Sequence, residues 1–253
     1  MKMQIKILFI ITVLSVTVPT LPFFKRSSKE EKFLKAAEKG KISALTKAIN
    51  AGADVNTRNQ MGKTALMLAA INGNQEAVTL LLNNPVIDVN LQDNSGKTAL
   101  MLAINTDHPA IAELLIKYPR TNLDLQDRNS QDKKKWTALM LAVLKGYPNI
   151  VRLLIKRGAN PNKETFRGQT ALEYAVEYNR PEVVKLLLEG GSNGNITIWN
   201  TSIIDYAKEN NFVEILKVIK DFVESRQKLL IEEGLPKDLA ELTVEFETGL
   251  KRK

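Results

Sequence analysis

Apolar and small residues recur in this chain at a long, regular interval. Residues 64–69 read TALMLA, the same six residues return at 98–103 and 137–142, and 170–175 read TALEYA. Two looser copies flank them: EKFLKAA from Glu31 sets Phe33 and Ala36 where Leu66 and Ala69 stand, and SIIDYA from Ser202 ends on Ala207. The starts at 31, 64, 98, 137, 170 and 202 are 33, 34, 39, 33 and 32 residues apart, a period typical of repeat architectures. In each full copy a capping threonine, a core leucine and closely packing alanines predict a short helix. At one fixed register follow Gly40, Gly73, Asp107, Gly146, Asn179 and Asn211. These residue types tolerate positive φ, so each helix is expected to end there. Pro109, Pro148 and Pro181, two residues on, suit the first turn of a second helix, where a missing N–H costs nothing. The second helix carries Ala77, Val78, Leu80 and Leu81 in one copy and Ile150, Val151, Leu153 and Leu154 in another. Thr79, Glu113, Arg152 and Lys185 fall on its solvent side.

No single copy can bury its apolar face alone, so neighbouring copies must stack to make the core. The period and the hexapeptide resemble the ankyrin repeat over residues 31–221. That resemblance implies an all-α solenoid of about six helix–turn–helix repeats joined by polar hairpins. It also implies a protein partner, engaged through the hairpin tips and the exposed side of the first helix. The chain departs from the family pattern in two ways. Ala65, Ala99, Ala138 and Ala171 stand where proline is usual, and Met67, Met101, Met140 and Glu173 where histidine is usual. The hydrogen bonds of that histidine are therefore expected to be replaced by methionine packing.

The same register supplies the candidate partner-binding residues. Just before the turn residues come Ile71 and Asn72, Asn105 and Thr106, Leu144 and Lys145, and Glu177 and Tyr178. They vary while the core anchors Leu66, Leu100, Leu139 and Leu172 do not. The hairpins add Arg58, Met61, Phe166 and Arg167, and an insertion before the fourth copy adds Lys133, Lys134, Lys135 and Trp136. Exposed aromatic and arginine side chains often dominate interfaces. Trp136 is accordingly the favoured contact, with the neighbouring lysines steering an acidic partner. The alternative for Trp136 is packing of its indole against the next hairpin.

Charge changes little in this picture. The formal net charge is +8, but Lys2, Lys6, Lys25, Arg26 and Lys29 precede the first copy and Lys251, Arg252 and Lys253 close the chain. Setting these aside leaves as many basic residues as the whole chain has acidic ones, 28. No stripe of Lys and Arg suited to a phosphate backbone is legible, so nucleic-acid binding is not expected. Residues 7–24 are uncharged and follow Lys2 and Lys6. A basic start before an apolar run has the form of a secretory signal, although neither small-residue pair near its end makes a strong cleavage site. An uncleaved membrane anchor is the rival, because such a run can just cross a bilayer. Residues 1–24 are read as signal or anchor, and 25–30 as a basic linker. The expected location is exported, periplasmic or secreted, with single-pass anchoring as the alternative.

Chemistry is not found. Cysteine is absent and His108 is the only histidine, which excludes thiol nucleophiles, cysteine metal sites and histidine clusters for zinc. His108 itself, at the start of a second helix, is read as structural rather than as a triad member. Residues 190–194, GGSNG, lack the Gly-Lys-Ser/Thr of a phosphate loop. No cofactor and no metal are expected. Residues 222–253 lose the repeat signature but keep an amphipathic pattern, reading as a helical C-terminal cap or a tail that binds a partner. The sequence thus describes a non-catalytic, monomeric protein-interaction scaffold. The alternative is a structural companion of an envelope enzyme without a tight ligand of its own.

Overall fold

The computed structural model describes residues 28–128, 135–192, 197–198 and 201–232. The leader 1–24, Lys133 and Lys134, and the segment after Glu232 lie outside the described residues. Ten helices form five pairs: α1 Ser28–Glu38 with α2 Ile42–Asn50, α3 Ala65–Ile71 with α4 Gln75–Leu82, α5 Ala99–Asn105 with α6 Pro109–Lys117, α7 Ala138–Lys145 with α8 Pro148–Lys156, and α9 Ala171–Glu177 with α10 Pro181–Glu189. A two-residue hairpin, β1 Thr197–Ile198 and β2 Thr201–Ser202, leads into α11 Ile203–Glu209 and α12 Val213–Glu232. First helices pack on first helices and second helices on second helices, giving two layers around one continuous core. The expected all-α solenoid of six helix pairs is what the chain forms.

Local chemistry explains the helix limits. The hydroxyls of Thr64, Thr98 and Thr137 accept the backbone N–H groups of Met67, Met101 and Met140 at 3.2–3.3 Å, capping three first helices. All six turn residues adopt the left-handed conformation, including Asp107 at φ 63°, Asn179 at 47° and Asn211 at 56°. The three prolines occupy the first turn of α6, α8 and α10. The first helices are apolar nearly all round because both of their neighbours are helices: residues 65–70 of α3 are all buried. Thr79, Glu113, Arg152 and Lys185 are exposed, as the pattern predicts.

One helix begins earlier than the sequence reading has it, and another carries across the division drawn at residue 221. Helix α1 begins at Ser28, inside the stretch read as linker, and places Glu30 and Glu31 in its first turn, where carboxylates suit the helix dipole. Helix α12 runs unbroken past Asp221, so the last repeat and the cap share one element.

Side chains one repeat apart tie the stack together. The Asn56 side chain donates to the Val86 carbonyl and accepts from Asp88 N–H; Asn90 does the same with Arg120 and Asn122. Along the hairpins, Gln92 donates to the Gln126 carbonyl at 2.8 Å and Gln126 to that of Glu164 at 2.7 Å. Behind the turns, Asn74 donates to the Ala37 and Glu38 carbonyls, and Arg180 to the Leu144 carbonyl at 2.8 Å. His108 Nε2 lies 3.0 Å from the Ile71 carbonyl oxygen, which can only accept, so Nε2 carries the proton and the role is structural.

Candidate protein-interaction surface

The surface is built where hairpins and first helices meet. Each hairpin is closed by a polar side chain at its base: Asn59 accepts from Met61 and Lys63 N–H, and Asp93 from Ser95 and Lys97 N–H, all at 2.9 Å. Asp127 accepts from Trp136 N–H at 2.7 Å, and Asp127 N–H donates back to the Trp136 carbonyl at 3.0 Å. The insertion is thus pinned at its foot and leaves the repeat register beyond it intact.

Beside the hairpins runs a row of side chains from successive first helices, Leu68, Leu102, Leu141 and Tyr174, each only 6–9% exposed. On its other side lie the residues before the turns. Asn72, Asn105 and Tyr178 are exposed, whereas Ile71, Thr106, Leu144, Lys145 and Glu177 are half-buried. Met61, Phe166 and Tyr178 are the exposed large apolar residues of this face, at 64%, 61% and 48%. Arg167 and Lys135 are exposed as well.

Several candidates serve the scaffold. Trp136 corrects the reading of it as an exposed contact: it is 8% exposed and stacks on Tyr174, ring centroids 4.7 Å apart and planes 28° off parallel. The indole fills the seam between fourth and fifth repeats, an arrangement that aromatic geometry favours over solvent exposure. Arg58 is exposed, but its guanidinium donates to the carbonyls of Gly62 and Gln92, so it joins the hairpin chain of bonds. Thr106 Oγ1 and Asn72 Nδ2 both donate at 2.8 Å to carbonyls one turn back in their own helices. Lys145 donates to Asp107 at 2.8 Å, and the Tyr147 hydroxyl donates to the same carboxylate oxygen at 2.7 Å. Both bonds hold the Asp107 carboxyl below its usual pKa, and the second pushes the Tyr147 hydroxyl up.

Sequence reasoning missed Lys63 and Lys97. They occupy the register of Trp136, immediately before the capping threonine, and could have been read from it. It also treated Glu173 as a histidine replacement only. Its carboxylate is 3% exposed and accepts the Thr170 N–H, closing the helix start as Met67 Sδ does more weakly at 3.4 Å from Thr64 N. Burial raises the Glu173 pKa, and the charges of Glu164 and Glu177 add to that.

Nothing here gathers reactive groups. Among the described residues no three His, Asp or Glu side chains are placed to hold a metal ion. Two cavities of about 510 Å³ open on the second-helix side, one between α2 and α4 and one between α10 and α12, away from the first-helix face.

A stack of helix pairs with an extended, variable face and a fixed interior is a repeat scaffold for protein–protein interaction. The comparisons with known proteins agree. The model of ankyrin repeats matches residues 33–127 and 121–198, well over half of the 253-residue chain, and the chain belongs to the ankyrin repeat family. A chain in the solved complex of a predatory endopeptidase from Bdellovibrio bacteriovorus with an immunity protein is similar at 27% identity and a TM-score of 0.62. That match covers 76% of this chain and 97% of the other. Mitochondrial disaggregases of Bos taurus and Homo sapiens are 43% and 41% identical over 56 residues, which is 22% of this chain and only 8% of theirs.

Proposed function

We propose that the protein is a non-catalytic binding scaffold, exported or anchored at a membrane, whose first-helix face and hairpin tips grip another protein. The observation that carries it is the placement of Met61, Phe166 and Tyr178, large apolar side chains left in water on the face that ankyrin repeats present to partners. The row behind them is already buried, so binding orders few further side chains and little conformational entropy opposes it. The basic start and apolar run of residues 1–24 support export or anchoring, and the protein acts as a monomer. Among the described residues no helix is long and apolar enough to cross a membrane.

The test is capture of a partner by immobilised protein, comparing wild type with a Phe166→Ala, Tyr178→Ala double variant whose thermal stability matches it. Loss of capture supports this face; undiminished capture moves the site elsewhere.

A second reading is favoured by the likeness to a chain of the endopeptidase–immunity protein complex, which spans nearly all of that chain. Here the partner is an envelope enzyme, and this chain is its companion. An activity assay on the captured partner, with and without the scaffold, separates a companion that alters the enzyme from one that only holds it.

A further inference from the structure

The residue before a capping threonine reaches the first-helix row: Trp136 stacks over Tyr174 of the next repeat, and Gln169 accepts from the Tyr174 hydroxyl of its own repeat at 2.8 Å. Lys63 and Lys97 share that register, where the hairpins meet the row of leucines, and both are half-buried. Lys135 is next to Trp136, exposed, and held at φ 53°. Among the described residues none of the three lysines is paired with a carboxylate. Across repeats two to four the positions before the turns, Ile71, Asn72, Asn105, Thr106, Leu144 and Lys145, contain no acid, and Asp107 beside them is already occupied by Lys145. Acid returns only in the fifth repeat, with Glu177. Among the described residues the face of repeats two to four therefore carries three lysines without an ion-pair partner beside a row of leucines.

Resting on the first-helix face as the binding surface, we propose that repeats two to four take an extended acidic segment of the partner protein, with carboxylates at about every third residue over Lys63, Lys97 and Lys135. The spacing follows from geometry. Stacked helices lie about 10 Å apart, and an extended chain advances about 3.3 Å per residue. Intervening apolar side chains of the segment meet Ile71 and Leu144, the half-buried apolar members of the face. A nucleic acid fits less well. The floor of repeats two to four is aliphatic, and Trp136, the aromatic residue nearest the three lysines, is stacked on Tyr174 rather than open to a base.

Peptides test this directly. The probe is a fluorescent peptide of four Glu-Val-Thr units; controls are the same composition with its four glutamates contiguous, a Lys-Val-Thr peptide, and an oligothymidylate. Lys63→Gln with Lys97→Gln is the variant pair, safe for the fold because Gln169 already occupies that register in the fifth repeat. The spaced acidic peptide is expected to bind the full chain and to weaken as salt rises from about 50 to about 250 mM. It should lose about tenfold in affinity on the double variant. No binding, equal binding of the contiguous-glutamate peptide, indifference to the lysine substitutions, or tighter binding of the oligothymidylate would each overturn the proposal. The same variants in partner capture separate the two levels. Capture lost with Phe166→Ala, Tyr178→Ala but kept with the lysine pair sinks the acidic segment alone, whereas capture kept by both sinks the face itself.

Discussion

At the scale of single residues, burial and contact decide what each substitution does. Leu100 is 3% exposed at the centre of the stack, so Leu100→Ala should cost about 2–5 kcal/mol of unfolding free energy in a urea titration. Trp136→Ala should cost about 3–5 kcal/mol, because it empties a seam rather than trimming a contact. Glu173 behaves differently. Its folded pKa is raised from the ordinary value of 4.5, so the folded state holds the proton more tightly than the unfolded chain. Its protonation favours folding, and its contribution to stability falls as pH rises from the ordinary carboxylate range through the raised folded value. Glu173→Met, the residue found at that register in the three preceding repeats, should raise the melting temperature at pH 7 and flatten this part of the pH profile. A melting series from pH 4 to 8 on both proteins checks the sign. Asp107 titrates in the opposite sense: lowered by Lys145 and Tyr147, it contributes above its ordinary pKa and loses that contribution as pH falls through the folded value.

Among elements, α12 is the one whose two halves do different work. Ile215 and Ile219 are buried and Phe222 is half-buried, whereas Leu229 and Ile231 are exposed. Ending the chain after Phe222 should leave cooperative unfolding nearly intact. Ending it before Val213 removes the helix that packs on α10 and should give aggregation on size-exclusion chromatography. Elements were the most legible level of the sequence. Helix ends were readable because they depend on single residues at a fixed register, such as Gly73, Asp107 and Pro109, with local backbone preferences behind each. The surface was less legible because exposure depends on a neighbour one repeat away. Nothing local to Trp136 says that Tyr174 lies under it, and nothing local to Arg58 says that its guanidinium is spent on Gln92. Met61, Phe166 and Tyr178 keep much of their surface exposed, at 64%, 61% and 48%.

For the whole molecule, two expectations follow from composition and from the stack. Replacing Leu8 and Ile11 by lysine should retain the protein in the cytoplasm, because charge in an apolar run is costly in lipid. Fractionation of the cells that make it, with N-terminal sequencing of the recovered chain, checks the export reading. Wild-type protein found in the cytoplasm with Met1 intact would end it. The array also has a soft end. First helices pack closely from α1 to α9, while α9 meets α11 only lightly, with the two-residue hairpin between them. Hydrogen exchange should therefore be fastest in α11 and slowest in α5 and α7.

The bonds between repeats carry one more consequence. Asn56, Asn90, Gln92, Gln126 and Arg180 all hand their protons to main-chain carbonyls, a feature every amino acid shares. A repeat joined this way demands no particular side chain from its neighbour. The Trp136–Tyr174 seam differs, tying the fourth repeat to the fifth by its side chains. Where bonds to carbonyls alone join the units, copying or losing one by misaligned recombination would yield a chain that closes up at once. Each copy is then free to drift on its outer face without renegotiating the joint, and ancestry in such a gene is written as length.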